Sequence, residues 1–201
     1  NVETLDFGGN ELVNYEGLNY LTNLKILCLS NNQLSDLKNF PYLPILKELY
    51  LSGNSLSSID GLSNLPALEV LDISRNGNIS VANAREIEKL NILNISDNNV
   101  SGLKELSKAV NLKQLIMRNM KNNNFKDLKP IKSLNSIDIS SNSLSSEDFY
   151  LIYILKDFPS LKTIYLSKNR IGNMFFTSKY IKRYKFNEAL DKESLDSFYS
   201  R

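Results

Sequence analysis

The leucines of this chain return every 22 residues. Leu24, Leu46, Leu68, Leu90, Leu112 and Leu134 each open the phrase L-x-x-L-x-L-x-x-N, and Val2 opens an earlier copy. The copies read VETLDFGGN, LKILCLSNN, LKELYLSGN, LEVLDISRN and LNILNISDN, then a worn LKQLIMRNM, then LNSIDISSN and LKTIYLSKN. The last opens at Leu161, 27 residues after Leu134, so the repeats start near residues 2, 24, 46, 68, 90, 112, 134 and 161. A fixed period of this size constrains the chain to a stack of similar coils: one unit cannot bury its apolar face alone, and each neighbour covers the next.

Within a copy the L-x-L core alternates in the manner of a short strand, so Leu49 and Leu51 are expected inside and Glu48 and Tyr50 outside. The second half of each unit is apolar at every third position, as in Ile59, Leu62 and Leu65, a spacing that suits extended or 3₁₀ turns better than an α-helix. The closing asparagine stands at a sharp turn, where a buried side-chain amide satisfies backbone groups of neighbouring coils. Asn10, Asn32, Asn54, Asn76, Asn98, Asn142 and Asn169 are expected to form that ladder. Met120 interrupts it in the sixth unit, and a local distortion is expected over residues 118–124, where Asn119 and the run Asn122 to Asn124 offer substitute amides.

With these phrases in hand, residues 1–171 resemble the leucine-rich-repeat superfamily. The resemblance implies an α/β solenoid, a right-handed superhelix with a parallel concave β-sheet and a mostly irregular or 3₁₀ convex side, followed by a C-terminal cap and tail over 172–201. The 22-residue step and ELYLSGNSLSSIDGLSNLPALEVLDISRN are similar to the short-repeat class that contains the leucine-rich regulatory subunit of protein phosphatase 1, the leucine-rich dynein light chain and the bacterial internalins. DLKPIKSLNSIDISSN, residues 127–142, looks like internalin repeats, whereas LKDFPSLKTIYLSKNRIG looks like those of ribonuclease inhibitor and the Ran GTPase-activating protein. Such relatives grip a protein on the concave ribbon, so the resemblance implies a non-catalytic adaptor or regulatory subunit. The alternative is an exported internalin-like adhesin or effector. The tail lacks the N-P and Y-R cap pattern of the phosphatase and dynein relatives, and no tryptophan is present to serve as an anchor.

The outward strand positions define the expected contact surface. Its central row runs Asp6, Cys28, Tyr50, Asp72, Asn94, Ile116, Asp138 and Tyr165, and the row one step earlier includes Ile26, Glu48, Val70 and Ile92. Ile26, Tyr50, Val70, Ile92 and Ile116 fall on adjacent strands as a diagonal apolar patch edged by Glu48, Asp72 and Arg75, the build of an interface hot spot. Eight strands at ~4.8 Å spacing and ~15 Å length offer roughly 500 Å², less than the ~800 Å² per partner of a standard interface. Flanking turns are therefore expected to contribute, among them Arg75, Asp97, Arg118 and Lys168. Ser30, Ser52, Ser74, Ser96, Ser140 and Ser167 keep step with the repeat and read as turn residues.

Catalysis finds little support in the residue types. The chain has no histidine, which removes the usual general base, and Cys28, its one cysteine, has no imidazole to activate it. Asp6, Asp72 and Asp138 occupy the first, fourth and seventh strands, roughly 14 Å apart at ~4.8 Å per strand, too far for a shared metal or a glycosidase pair. They read as elements of charge complementarity, and neither cofactor nor metal is expected. A net charge of +2 argues against bulk nucleic-acid affinity. The longest apolar run, residues 149–155, is far below the ~20 residues of a membrane span. A lone cysteine leans toward the cytoplasm or nucleus but also fits a bacterial surface protein. The chain enters a strand directly at its first residues and is expected to be part of a longer protein, whose targeting signal would lie upstream.

Two segments fall outside the pattern. In the lengthened seventh unit, Ser145 and Asp148 have capping-box spacing and Pro159 is a stop, which predicts a helix over 146–158 with Phe149, Leu151, Ile152, Ile154, Leu155 and Phe158 on more than one face. In the tail, KYIKRYKF interleaves Lys179, Lys182, Arg183 and Lys185 with three aromatics. That composition suits RNA by stacking and phosphate contact, yet Glu188, Asp191, Glu193 and Asp196 follow and offset its field, so a packed cap is the expected role.

Overall fold

In the computed structural model, which describes residues 2–122, 125–145, 148, 155–171 and 185–187, every phrase becomes one short strand. The strands are β1 (Thr4–Asp6), β2 (Ile26–Cys28), β3 (Glu48–Tyr50), β4 (Val70–Asp72), β5 (Gly77–Ser80), β6 (Ile92–Asn94), β7 (Asn98–Ser101), β8 (Gln114–Ile116), β9 (Ser136–Asp138), β10 (Thr163–Tyr165) and β11 (Lys185–Asn187). All but β5 and β7 form one parallel sheet in the order β1-β2-β3-β4-β6-β8-β9-β10-β11. Pairing keeps strict repeat register, with Leu27 opposite Leu49, Leu71 opposite Leu93 and Leu115 opposite Ile137. Inward leucines on neighbouring coils therefore stack directly, and Leu27, Leu49, Leu71, Leu93 and Leu115 are all 0% exposed. The fold is a leucine-rich solenoid, with a return path of 3₁₀ turns at Leu18–Tyr20, Leu62–Asn64, Ala84–Ile87, Leu103–Lys108 and Phe125–Asp127, as the three-residue period predicts.

Each coil leaves its strand by the same device. The residue before the ladder position takes a positive φ in every unit: Gly9, Asn31, Gly53, Arg75, Asp97, Asn119, Ser141 and Lys168. The left-handed conformation costs a non-glycine residue about 1–2 kcal/mol. It is held by a bond to the next coil, for example Asn31 N–H to the Ser52 carbonyl at 2.7 Å and Asp97 N–H to that of Arg118 at 2.9 Å.

The asparagines bind the turns into a stack. Asn76 donates from Nδ2 to the carbonyls of Leu51 at 3.1 Å and Ile73 at 2.9 Å, while its Oδ1 accepts the N–H of Leu56 at 2.9 Å. Asn32, Asn54, Asn98, Asn142 and Asn169 repeat the pattern with their own coil and the one before. Asn10, in the first described coil, reaches only Phe7 and Gly8 of its own turn. Serines add a second rung: Ser74 Oγ donates to Ser52 Oγ at 2.9 Å, and Ser167 Oγ to Ser140 Oγ at 3.0 Å.

The sixth unit corrects an expectation. Over its described part the coil is not distorted: β8 keeps register on both sides and Asn119 adopts the φ shared by the other turns. Met120 packs into the core at 6% exposure, and its N–H is taken by Asn142 Oδ1 at 2.7 Å. Asn122, one of the substitute amides, bonds the preceding coil, accepting the Val100 N–H at 3.1 Å and donating to the Val100 carbonyl at 3.0 Å. Val100 lies in β7, which with β5 forms a small second sheet, so one side-chain amide occupies the place of the next strand there.

Of the predicted helix in the seventh unit, residues 146, 147 and 149–154 lie outside the described residues. Its start is capped, with Ser145 N–H donating to Asp148 Oδ2 at 2.8 Å, and Leu155 and Phe158 are 0% exposed. The leucine phrase stops after Ile171, but β11 pairs with β10 at the repeat spacing, Thr163 opposite Lys185 and Ile164 opposite Phe186. Lys179, Lys182 and Arg183 lie outside the described residues.

The ladder is thinnest at Met120. Most of its carbonyls accept two side-chain amides, Leu51 from Asn54 and Asn76 and Ile73 from Asn76 and Asn98, whereas Met117 accepts only Asn142. Asn142→Ala strands that carbonyl, and Asn76→Ala strands neither of its two. Asn142→Ala is therefore expected to cost about 1–2 kcal/mol more than Asn76→Ala, read as the difference in urea unfolding free energies.

Candidate functional site

Parallel register brings the outward positions into two rows across the main sheet, and burial then sorts them. Ile26, Cys28, Glu48, Tyr50, Val70, Ile92, Asp138 and Tyr165 are half-buried, and Arg75 is exposed on its turn. Val70 stands opposite Ile92, while Glu48 stands between Ile26 and Val70 in that row, and Tyr50, opposite Cys28, is diagonal to both, so the apolar members run across β2, β3, β4 and β6 as a diagonal with Glu48 inside its bend. Tyr50 Oη donates to Glu48 Oε2 at 2.7 Å, which fixes the ring beside the carboxylate. Burial and then that carboxylate push the Tyr50 hydroxyl well above its usual range.

Three positions expected at the surface are not there. Asp72, Asn94 and Ile116, in the middle of the central row, are 1%, 2% and 3% exposed. Strands ~4.8 Å apart leave a mid-sheet side chain covered from both sides, and the acidic members are drawn down onto their own backbone. Asp72 Oδ1 accepts the Ser74 N–H at 2.8 Å, and the Asn94 side chain also bonds its carboxylate. Asp6, Asn94 and Asp138 do the same to residues 8, 96 and 140. These residues close Asx turns, so Asp6, Asp72 and Asp138 have a structural duty where charge complementarity was expected. The signal was present as D-x-S and N-x-S inside the phrase, a pattern in which the side-chain oxygen bonds its own backbone two residues on.

The remaining groups are quiet. Burial pushes the Cys28 thiol up, which lowers its thiolate fraction and its nucleophilicity. Arg118 Nε lies 3.4 Å from Asp138 Oδ2, with both side chains mostly shielded. Among the described residues no helix is long and apolar enough to cross a membrane.

The family described as Leucine Rich repeats (2 copies) matches residues 1–42 and 46–84. Its repeats coincide with the strands and turns just described. Residues 1–42 and 46–84 are leucine-rich repeats, and the fold is a leucine-rich-repeat solenoid. Internalin C2 of Listeria monocytogenes is similar to it at 25% identity with a TM-score of 0.71, over 92% of this chain and 80% of that one. Internalin F of the same bacterium follows at 22% identity and a TM-score of 0.64, over 94% and 61%. The functional domain of its InlJ, a structure that includes a cysteine ladder, stands at 20% identity and 0.57, over 93% and 44%. The chain spans less than two thirds of the latter two chains. No curated protein matches its sequence significantly.

The buried Asp72 makes a checkable pH dependence. Burial raises its carboxyl in the folded chain, so the folded state binds this proton more readily than the unfolded one. Ionisation at neutral pH then opposes folding, and the opposition fades as pH falls through the raised value. Asp72→Asn keeps the acceptor for Ser74, as Asn94 does for Ser96 one coil on. The variant is expected to unfold at higher urea than the wild type at pH 7, with the gap closing on acidification toward about pH 4.

Proposed function

We propose that this protein is a non-catalytic binding module that holds a folded protein partner against the outward face of its main sheet. The observation that carries the reading is the diagonal of half-buried Ile26, Tyr50, Val70 and Ile92 on successive strands of the sheet, with Glu48 between Ile26 and Val70 and Arg75 on the neighbouring turn. Half-burial means that these side chains are already held by neighbours and lose little rotamer freedom when covered, a condition under which aromatic and aliphatic anchors bind well. Cys28 and Tyr165 extend the patch along the row, and Arg118 on its turn with Asp138 at the end of β9 adds a polar border. A role as an intracellular adaptor or regulatory subunit is the leading form of this proposal.

A second form, an exported internalin-like adhesin or effector, is favoured by the likeness to internalin C2 over most of both chains. The two forms share the binding face and differ in compartment. An export signal encoded upstream of Asn1 supports the second; a cytosolic domain there supports the first.

The test is affinity capture from extract of the native cell, quantified by mass spectrometry, with wild type beside a Tyr50→Asp, Ile92→Asp double variant whose fold is checked by circular dichroism. A partner retained by the wild type and lost at least about tenfold from the variant is expected, since two charged intrusions at an anchor cost well over 1.4 kcal/mol. Equal recovery on both sinks the sheet-face proposal.

A further inference from the structure

One depression on this face has chemistry distinct from the apolar patch. It is a cavity of about 360 Å³ beside the turns of the fifth to eighth units. Ile116 lies at its base, and Asp97, Arg118, Asn119, Ser141 and Lys168 line its sides. Four successive turns supply the rim, because their shared left-handed residue is Asp97, Asn119, Ser141 or Lys168.

Its hydrogen-bonding capacity is spent unevenly. The carboxylates are already engaged: Asp97 Oδ1 accepts Asn119 Nδ2 at 2.6 Å, and Asp138, behind Arg118, accepts the Ser140 N–H at 2.9 Å as well as the guanidinium contact. The cations are not. Among the described residues Lys168 makes no hydrogen bond or ion pair, and the Arg118 side chain has the single contact from Nε to Asp138, which leaves its terminal nitrogens unspent. Arg75 stands exposed at the same turn position one coil before Asp97. Among the described residues, the cations are therefore the charged groups of the site with most donor capacity to spare. Asp138 lies against the Nε side of the guanidinium at 3.4 Å, so the terminal nitrogens remain available as the fork that receives a carboxylate bidentately.

We infer that this depression is the subsite for an aspartate or glutamate side chain of the protein partner, received between the Arg118 fork and the Lys168 ammonium. The inference rests on the sheet-face reading above and names the chemistry of the partner segment: acidic at the fifth to eighth units, apolar at the second to fifth. Serine recurs at the position of Arg118 from the second unit to the eighth, at residues 30, 52, 74, 96, 140 and 167, and the sixth unit alone replaces it with a cation.

The test uses the intact chain and a blocked peptide of alternating glutamate and glycine, followed by ¹H–¹⁵N NMR at low salt, where such pairing is least screened. Saturable shifts at the Arg118 Nε–H and at the amides of Asp97, Asn119, Ser141 and Lys168 are expected, with none from the glutamine counterpart. Arg118→Gln and Lys168→Gln are each expected to weaken binding several-fold. Lys168→Gln removes no interaction among the described residues, so it keeps the test decisive even if Arg118→Gln disturbs Asp138. Shifts scattered over lysines on other faces, or binding unchanged in Lys168→Gln, overturn the inference. Inorganic phosphate binding here as tightly as the peptide overturns it too, in favour of a phosphate site. Failure here with partner capture still dependent on Tyr50 and Ile92 leaves the sheet-face reading intact; loss of that dependence with the peptide still bound strikes the reading alone.

Discussion

The turn at the end of each strand is the point on which the structure rests. A coil that reverses direction next to a packed core leaves backbone donors and acceptors where water cannot reach them, and unpaired groups of that kind cost about 1–3 kcal/mol each. Here an asparagine in each coil from the second to the eighth, the sixth excepted, meets the demand by bonding its own coil and the preceding one, so neighbouring coils satisfy one another's turns. The 22-residue period follows from this dependence. An insertion within the strand and turn would move the amide away from the carbonyl it serves, whereas the extra five residues of the seventh unit lie after the turn and leave Asn142 and Asn169 in contact.

The same dependence explains why the worn sixth unit survives. Met120 forfeits an amide, yet every carbonyl it would have served retains one donor, Ile95 from Asn98 and Met117 from Asn142. Redundancy between adjacent rungs tolerates one gap. Two adjacent gaps would leave a carbonyl with neither donor, and the chain contains no such pair among units two to eight.

Much of this architecture could be read in the residues because each structural duty recurs at a fixed interval. The leucine stack, the asparagine ladder, the serine rung and the 3₁₀ return path are all periodic, and a periodic signal survives one worn copy. What escaped was aperiodic or hidden by a second meaning. Asn122, bonding both backbone groups of Val100, stands at a repeat position that is apolar at Leu34, Leu56, Val100 and Leu144, so its duty is not the one the period announces. β11 keeps the 22-residue spacing but Arg183 stands where a leucine would announce it. Asp72 and Asn94 fall in an outward row by alternation, yet an Asx turn and flanking strands bury them, a competition that alternation alone does not register.

That competition also indicates where such a solenoid is free to acquire specificity. A position is available to a partner only when its repeat duty is carried by the backbone and not by its side chain. At residue 118 the backbone N–H still donates to Ser96 Oγ at 3.0 Å and the carbonyl still accepts the Asp97 N–H, so the turn is complete whatever the side chain is. Position 168 is similar, since its duty is a left-handed φ that Asp97, Asn119 and Ser141 also meet. Position 72 is different, because its carboxylate itself closes the turn. The turn thus fixes the side chain at 72 but only the backbone at 118 and 168, which is why the subsite proposed above for an acidic side chain draws on the latter two.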